Sequence, residues 1–187
     1  ANPAYPVHLN GVILAGGKIH DMPIMAENKW LPDLTKIPEK IARRAKLMFL
    51  NYPNNPTTAT VDGLSFFKEV VRFAKKHNII VCHDNAYSEI TFNGYVALSF
   101  LQTPGAKDVG VEFYSLSKTY NMAGWRVGFC LGNSEIIQPL EKFKSFIDYG
   151  VPTFLQLAAV TALDASSDVM KKTLEEYRKR RDNFCDG

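Results

Sequence analysis

A chain of 187 residues with 46% hydrophobic content is long enough for one α/β domain with a buried core, and its composition is not that of a disordered segment. A net charge of +3 offers no basic face of the kind that nucleic acid requires. The densest basic stretch, Arg178-Lys179-Arg180-Arg181, follows Glu175 and Glu176 and reads as the solvated side of a helix.

Cys82, Cys130 and Cys185 are odd in number and lack C-x-x-C spacing, which argues against a disulfide framework or a zinc site. Cys82 and Cys130 sit in apolar runs and read as small buried hydrophobes. The four histidines share no metal-ligand spacing, so no metal is expected. A reduced, cytoplasmic protein is the expectation. No run approaches the roughly 18 apolar residues of a membrane span, and no signal-peptide pattern opens the chain. The Ala-Asn-Pro start and the Cys-Asp-Gly end, straight after a charged helix, both read as cuts inside a longer protein.

In chain order, Ala15-Gly16-Gly17-Lys18 lacks the frame of a phosphate loop and reads as a turn. Lys46–Leu50 is a short apolar strand, stopped by the prolines and asparagines of 51–56. Asp62 is the expected N-cap of a helix reaching about His77. Leu64, Phe67, Val71 and Ala74 repeat along its buried face, with Lys68, Arg72 and Lys75 opposite. Ile79–Cys82 is a second strand, ending at His83-Asp84. His83 beside Asp84 suggests a dyad, but strand neighbours point to opposite faces, so His83 reads as packing.

Gly110–Tyr114 forms a third strand ending at Ser115, and Arg126–Leu131 a fourth, with Arg126 as its first residue. This alternation predicts an α/β fold with a mostly parallel sheet and helices on both faces. The link of about ten residues before the fourth strand is short for a parallel crossover, so that strand is expected to run antiparallel. Three helices should follow. Ser134 to about Asp148 is amphipathic, with Pro139 expected to kink it or shift its start. Pro152–Leu163 is apolar enough for burial, and Asp168–Phe184 is strongly charged. Residues 1–165 would form one domain, with 166–187 a helix leading towards another.

Ligands of open α/β sheets bind beyond the carboxyl ends of the strands. Those ends carry Asn54-Asn55-Pro56-Thr57, Asp84-Asn85-Ala86-Tyr87 and Ser115-Leu116-Ser117-Lys118, with Arg126 beyond. Singly, each has an ordinary structural explanation: a turn, a cap, a half-buried aromatic, a chance match. Together they bring an amide, a carboxylate, a phenol, hydroxyls, an amine and a guanidinium to one sheet edge.

Three segments carry a resemblance to the fold-type I pyridoxal-phosphate (PLP) enzymes, and within them to the class I/II aminotransferases. They are Asn51-Tyr-Pro-Asn-Asn-Pro-Thr57, Asp84-Asn-Ala-Tyr87 and Ser115-Leu-Ser-Lys-Thr-Tyr-Asn-Met-Ala-Gly-Trp-Arg-Val-Gly128. The wording is most similar to LL-diaminopimelate aminotransferase-like and bacterial aspartate-aminotransferase-like enzymes. The resemblance implies that Lys118 is the Schiff-base lysine and proton shuttle, and that Asp84 pairs with the pyridinium nitrogen. Asn55 and Tyr87 would bond the ring oxygen. Arg126, Ser115 and Ser117 would hold the phosphate, and Tyr5 would either stack on the ring or be an ordinary core tyrosine.

Thr58 stands where the family usually has glycine. The family's upstream phosphate loop and its carboxylate-binding arginine are expected to lie outside these 187 residues. The implied activity moves an amino group between an amino acid and a 2-oxo acid, in a full-length homodimer, with the 187 residues alone inactive. Two other readings remain at this point: another fold-type I reaction, such as C–S lysis or decarboxylation, and a PLP-sensing domain of a transcription regulator.

Overall fold

The computed structural model describes residues 1–165 and 167–187. Four strands form one sheet: β1 (Leu47–Asn51), β2 (Ile80–Asp84), β3 (Gly110–Ser115) and β4 (Gly128–Gly132). They lie in chain order, β1-β2-β3-β4. Their registers place Asn51 beside Asp84 and Asp84 beside Phe113, both in parallel pairings. β4 runs antiparallel to β3, with Ser115 opposite Gly128, as the short link requires. Eight helices accompany the strands among the described residues: α1 (Pro6–Leu14), α2 (Glu39–Ala42), α3 (Ser65–His77), α4 (Ala106–Val109), α5 (Leu116–Thr119), α6 (Ser134–Ile147), α7 (Thr153–Asp164) and α8 (Ser167–Asp186).

The main core lies between α3 and one face of the sheet. Phe67, Val70, Val71 and Ala74 of α3 pack with Met48, Leu50 and Val81 of the strands, closed by Phe100 and Ala106. Truncating a buried phenylalanine such as Phe67 costs about 3–5 kcal/mol in such a setting. α3 stops at Asn78, whose φ of 53° is the left-handed cap that asparagine tolerates. α1 sits on the other face, where the His8 ring stacks on Phe49 of β1. Cys82, on β2, is buried, and desolvation pushes its thiol up to about 12.

Several expectations need correction. Asp62 is not the helix cap: α3 begins at Ser65, with Leu64 in the cap position and no side-chain cap bond. Arg126 does not begin the fourth strand; it lies two residues before β4, in left-handed conformation with φ 57°. Pro139 does not move the start of α6, which runs through it from Ser134 after an Asn133 side-chain cap. Cys130 is only half-buried.

The expected burial of α7 holds for one face only. Leu155, Ala158, Ala159 and Ala162 pack with Leu116, Met122, Val127 and Phe129. Phe154, Leu157, Val160 and Leu163 are exposed, because no other described element covers the helix's second apolar face.

Candidate active site

The β1 edge of the site is built by Asn51. Its amide nitrogen donates to the Asp84 carbonyl at 2.8 Å and to the Pro53 carbonyl at 3.1 Å, and its amide oxygen accepts the Asn55 N–H at 2.8 Å. A buried amide that satisfies three backbone groups holds the turn rigidly over the neighbouring strand. The turn is closed by the Thr58 N–H to the Asn54 carbonyl at 2.8 Å, and Thr58 takes a φ of 59°. The position that is usually glycine thus keeps the left-handed backbone of glycine while carrying a β-branched side chain.

Asp84 ends β2 with its side chain on the face opposite His83. One oxygen accepts the Ala86 N–H at 3.2 Å, and the other lies 3.0 Å from His8 Nε2. His8 is buried on α1, and its ring meets the edge of Tyr5 at 6.1 Å between centroids. Tyr5 itself is half exposed, so it is not an ordinary core tyrosine. Tyr87, three residues beyond Asp84, presents its hydroxyl to Asn55 Nδ2 at 3.4 Å.

Lys118 Nζ lies 5.6 Å from the centre of the Tyr87 ring. Its helix, α5, is one turn long and starts where the Ser115 hydroxyl accepts the Ser117 N–H at 3.2 Å. The loop from Ser115 to Gly128 is closed by the strand pairing and by the Leu116 N–H to the Val127 carbonyl at 3.3 Å. Gly128 permits this closure, since a Cβ there would sit 2.6 Å from the Tyr114 carbonyl oxygen. Arg126 is held at the mouth of the loop with its guanidinium exposed, one nitrogen donating to the Ala123 carbonyl at 2.8 Å.

Contacts therefore join Asn55, Tyr87 and Lys118 directly, and Asn51 ties Asp84 to Asn55. Ser115 and Ser117 bond to each other. Arg126 bonds to Ala123 and Tyr5 touches His8, so neither contacts the remaining predicted site residues directly. Two residues of the site escape the sequence reading. His8 carries only a weak signal, the Tyr5-Pro6-Val7-His8 spacing that puts it one helical turn beyond Tyr5. Asn51 lies inside a recognised segment whose local pattern says only that the chain turns there.

The arrangement offers an amine, a carboxylate buttressed by an imidazole, two hydrogen-bond donors for an oxygen atom, and hydroxyls with a guanidinium for an anion. Among the described residues no group of three potential metal ligands comes together. No described helix is long and apolar enough to cross a membrane.

A family model described as aminotransferase class I and II matches residues 1–187. The chain is 52% identical over 186 residues to an LL-diaminopimelate aminotransferase of Moorella thermoacetica, covering 100% of this chain and 47% of that protein. It is 50% identical over 185 residues to an LL-diaminopimelate aminotransferase of Dehalococcoides mccartyi, covering 99% and 47%. Among solved structures, substrate-bound BacF from Bacillus subtilis superposes with a TM-score of 0.92 at 44% identity, over 97% of this chain and 46% of that one. A probable N-succinyldiaminopimelate aminotransferase from Thermus thermophilus gives 0.87 at 38% identity, over 95% and 47%. The chain spans about half the length of the curated relatives it matches.

Proposed function

This chain belongs to the class I and II aminotransferases, and on that premise we propose that its protein is a PLP-dependent transaminase whose Schiff-base lysine is Lys118. Family membership implies pyridoxal 5′-phosphate as the cofactor, and the residues present fit it. The supporting observation is that Lys118 Nζ faces the Tyr87 ring at 5.6 Å while the Tyr87 hydroxyl meets Asn55 at 3.4 Å. An amine, a phenol and an amide thus lie together, the groups that would serve the cofactor's reactive carbon and ring oxygen. When bound, the cofactor supplies an electron sink for a substrate carbanion.

The rest falls to the chain. Asp84 would keep a proton on the ring nitrogen, with His8 and the Ala86 N–H holding its carboxylate in place. Asn55 and Tyr87 would donate to the ring oxygen. Lys118 would hold the cofactor and, through its amine, act as general base at the substrate α-carbon. Arg126 offers a planar fork to the phosphate, and the Ser115 and Ser117 hydroxyls add neutral donors. Tyr5 would pack its ring on the cofactor.

Residues 1–165 act in this reading as the cofactor-binding domain, with α8 leading towards a second one. LL-diaminopimelate, named in the relatives, is the first amino donor to test, with a 2-oxo acid as acceptor in amino-acid biosynthesis. The whole protein is proposed to be a cytoplasmic homodimer. The exposed apolar faces of α6 and α7 support the pairing, and the unpaired cysteines support the reducing compartment.

Borohydride reduction of the full-length PLP-loaded protein, followed by peptide mapping, tests the lysine. The cofactor should be fixed to the peptide containing Lys118, and Lys118→Ala should lower transamination by several powers of ten. Label on Lys18, Lys107 or Lys144 would overturn the assignment.

A further inference from the structure

Behind the site, on the opposite face of β2, lies a buried carboxylate that the chemistry above does not use. Glu112 of β3 stands beside His83 in the parallel pairing and is only 7% exposed. Its Oε2 lies 2.9 Å from His83 Nδ1 and accepts the Ser99 hydroxyl at 3.0 Å and the Phe100 N–H at 2.8 Å. Its Oε1 accepts the Asn85 side-chain amide at 3.0 Å. Four donors on one carboxylate satisfy it fully, which a buried charge demands.

The placement of these donors matters more than their number. His83 and Asn85 are the chain neighbours of Asp84 on either side. Asn85 and Ser99 bracket the irregular segment 86–98 that carries Tyr87, so Glu112 holds this loop where it leaves the sheet and where it returns. Between those ends the loop is tied to distant chain by the Tyr95 hydroxyl, which donates to the Val61 carbonyl at 3.1 Å, by the longer Asn55–Tyr87 contact at 3.4 Å, and by Lys118 and Arg181 over the Tyr87 and Phe92 rings. His83 Nε2 and the Asn85 amide oxygen are buried with no hydrogen-bond partner, so both side chains depend on Glu112 for their hydrogen bonding.

We propose that Glu112 is a positioning residue for the cofactor site: one buried carboxylate fixes both neighbours of Asp84 and both ends of the Tyr87 loop, and so sets the carboxylate-to-phenol geometry. This rests on the PLP reading above. Glu112 touches no cofactor itself and acts through Asp84 and Tyr87. Glutamine there keeps the volume but replaces an acceptor oxygen with an NH₂, which must face one of the donors.

The test compares full-length wild type, Glu112→Gln and Val70→Ala, the last a core change in α3 outside this hydrogen-bond set. In cofactor-free protein, hydrogen exchange of the 86–98 amides should rise in Glu112→Gln and stay near wild type in Val70→Ala. In loaded protein, Glu112→Gln should move the pH midpoint of the cofactor's visible absorption, weaken PLP binding, and lower kcat by about a hundredfold with KM little changed. Val70→Ala should lower Tm without moving that midpoint. A Glu112→Gln protein that loses Tm yet keeps the wild-type midpoint and PLP affinity overturns the proposal and leaves the PLP reading intact. Wild type with no visible cofactor band sinks that reading, and the proposal with it. If Glu112→Gln does not fold, Ser99→Ala and Asn85→Ala each remove one bond to Glu112, Ser99→Ala also losing the Leu101 N–H cap at 3.1 Å. Both should shift the midpoint in a common direction, and no shift in either overturns the proposal.

Discussion

His8 and Asp84 lie 76 residues apart in the chain and meet at 3.0 Å, the imidazole Nε2 against carboxylate Oδ2. The same imidazole stacks on Phe49 at 5.6 Å, so α1 is fastened to the sheet edge by one side chain that also aims a site carboxylate. A hydrogen bond to a charged group contributes about 1.5–3 kcal/mol. His8→Phe keeps a ring over Phe49 and removes that bond. In the full-length protein it is expected to reduce kcat/KM roughly ten- to a hundredfold. Asp84→Asn, which removes the charge itself, should cost orders of magnitude more than His8→Phe while retaining cofactor. Steady-state kinetics with PLP titration measures both, and wild-type turnover in Asp84→Asn would make the carboxylate merely structural.

Glu112 ties stability to pH. Burial raises its carboxyl, but the bonds from His83, Asn85 and Ser99, with the His83 charge, outweigh burial, and the net displacement is downward from the ordinary carboxylate value. A carboxyl held lower in the folded than in the unfolded state stabilises the fold above the unfolded value. That stabilisation is lost as pH falls through the folded value. Urea unfolding of the full-length protein should therefore show an acid limb of declining stability that is shallower in Glu112→Gln. The variant should be less stable than wild type by about 1–3 kcal/mol at neutral pH. Parallel acid limbs in the two proteins would remove Glu112 from the account.

Much of the candidate site is legible in the sequence because its residues sit at strand ends, where proline, asparagine and aspartate mark the exits. Asn55, Asp84, Tyr87 and Lys118 stand out that way, and the short link before β4 predicts its antiparallel course. What stays hidden depends on long-range contacts. Little beyond its spacing from Tyr5 distinguishes His8 from any other buried helical histidine, and Glu112 reads as one polar residue in a strand until His83, Asn85 and Ser99 are seen around it. The error over α7 has a different origin. An apolar periodicity on every side of a helix says that it is covered, but not by which part of a protein.

Thr58 offers a stabilising change. With φ at 59° it holds a conformation that costs an L-residue about 1–2 kcal/mol, and its side chain is exposed. Glycine takes that φ freely but adds freedom to the unfolded chain, worth about 0.5–1 kcal/mol. Thr58→Gly should thus raise stability by about 0.5 kcal/mol or slightly more and leave cofactor absorption unchanged. Denaturant midpoints measured at constant m-value test this, and a lower midpoint would mean that the threonine makes compensating contacts.

The 187-residue polypeptide made alone should self-associate. α7 exposes Phe154, Leu157, Val160 and Leu163 while its other face packs beneath Val127 and Phe129. α6 exposes Leu140, Phe143, Phe146 and Ile147, with no buried residue along its length. Scattered exposed hydrophobes are ordinary, but rows of aromatic and branched side chains along two helices favour association. At about 25 cal/mol per Å² of apolar area removed from water, covering several hundred Å² of these rows is needed to offset the roughly 4–15 kcal/mol lost as translational and rotational freedom. Sedimentation velocity should show oligomers, accompanied by binding of a hydrophobic dye. The pair Phe143→Glu and Leu157→Glu alters only exposed positions, so it should shift the polypeptide towards monomer while preserving its circular dichroism. With half the length of its relatives, the polypeptide should also show no transaminase turnover. A monodisperse wild-type monomer that binds no dye would show that these faces are not adhesive.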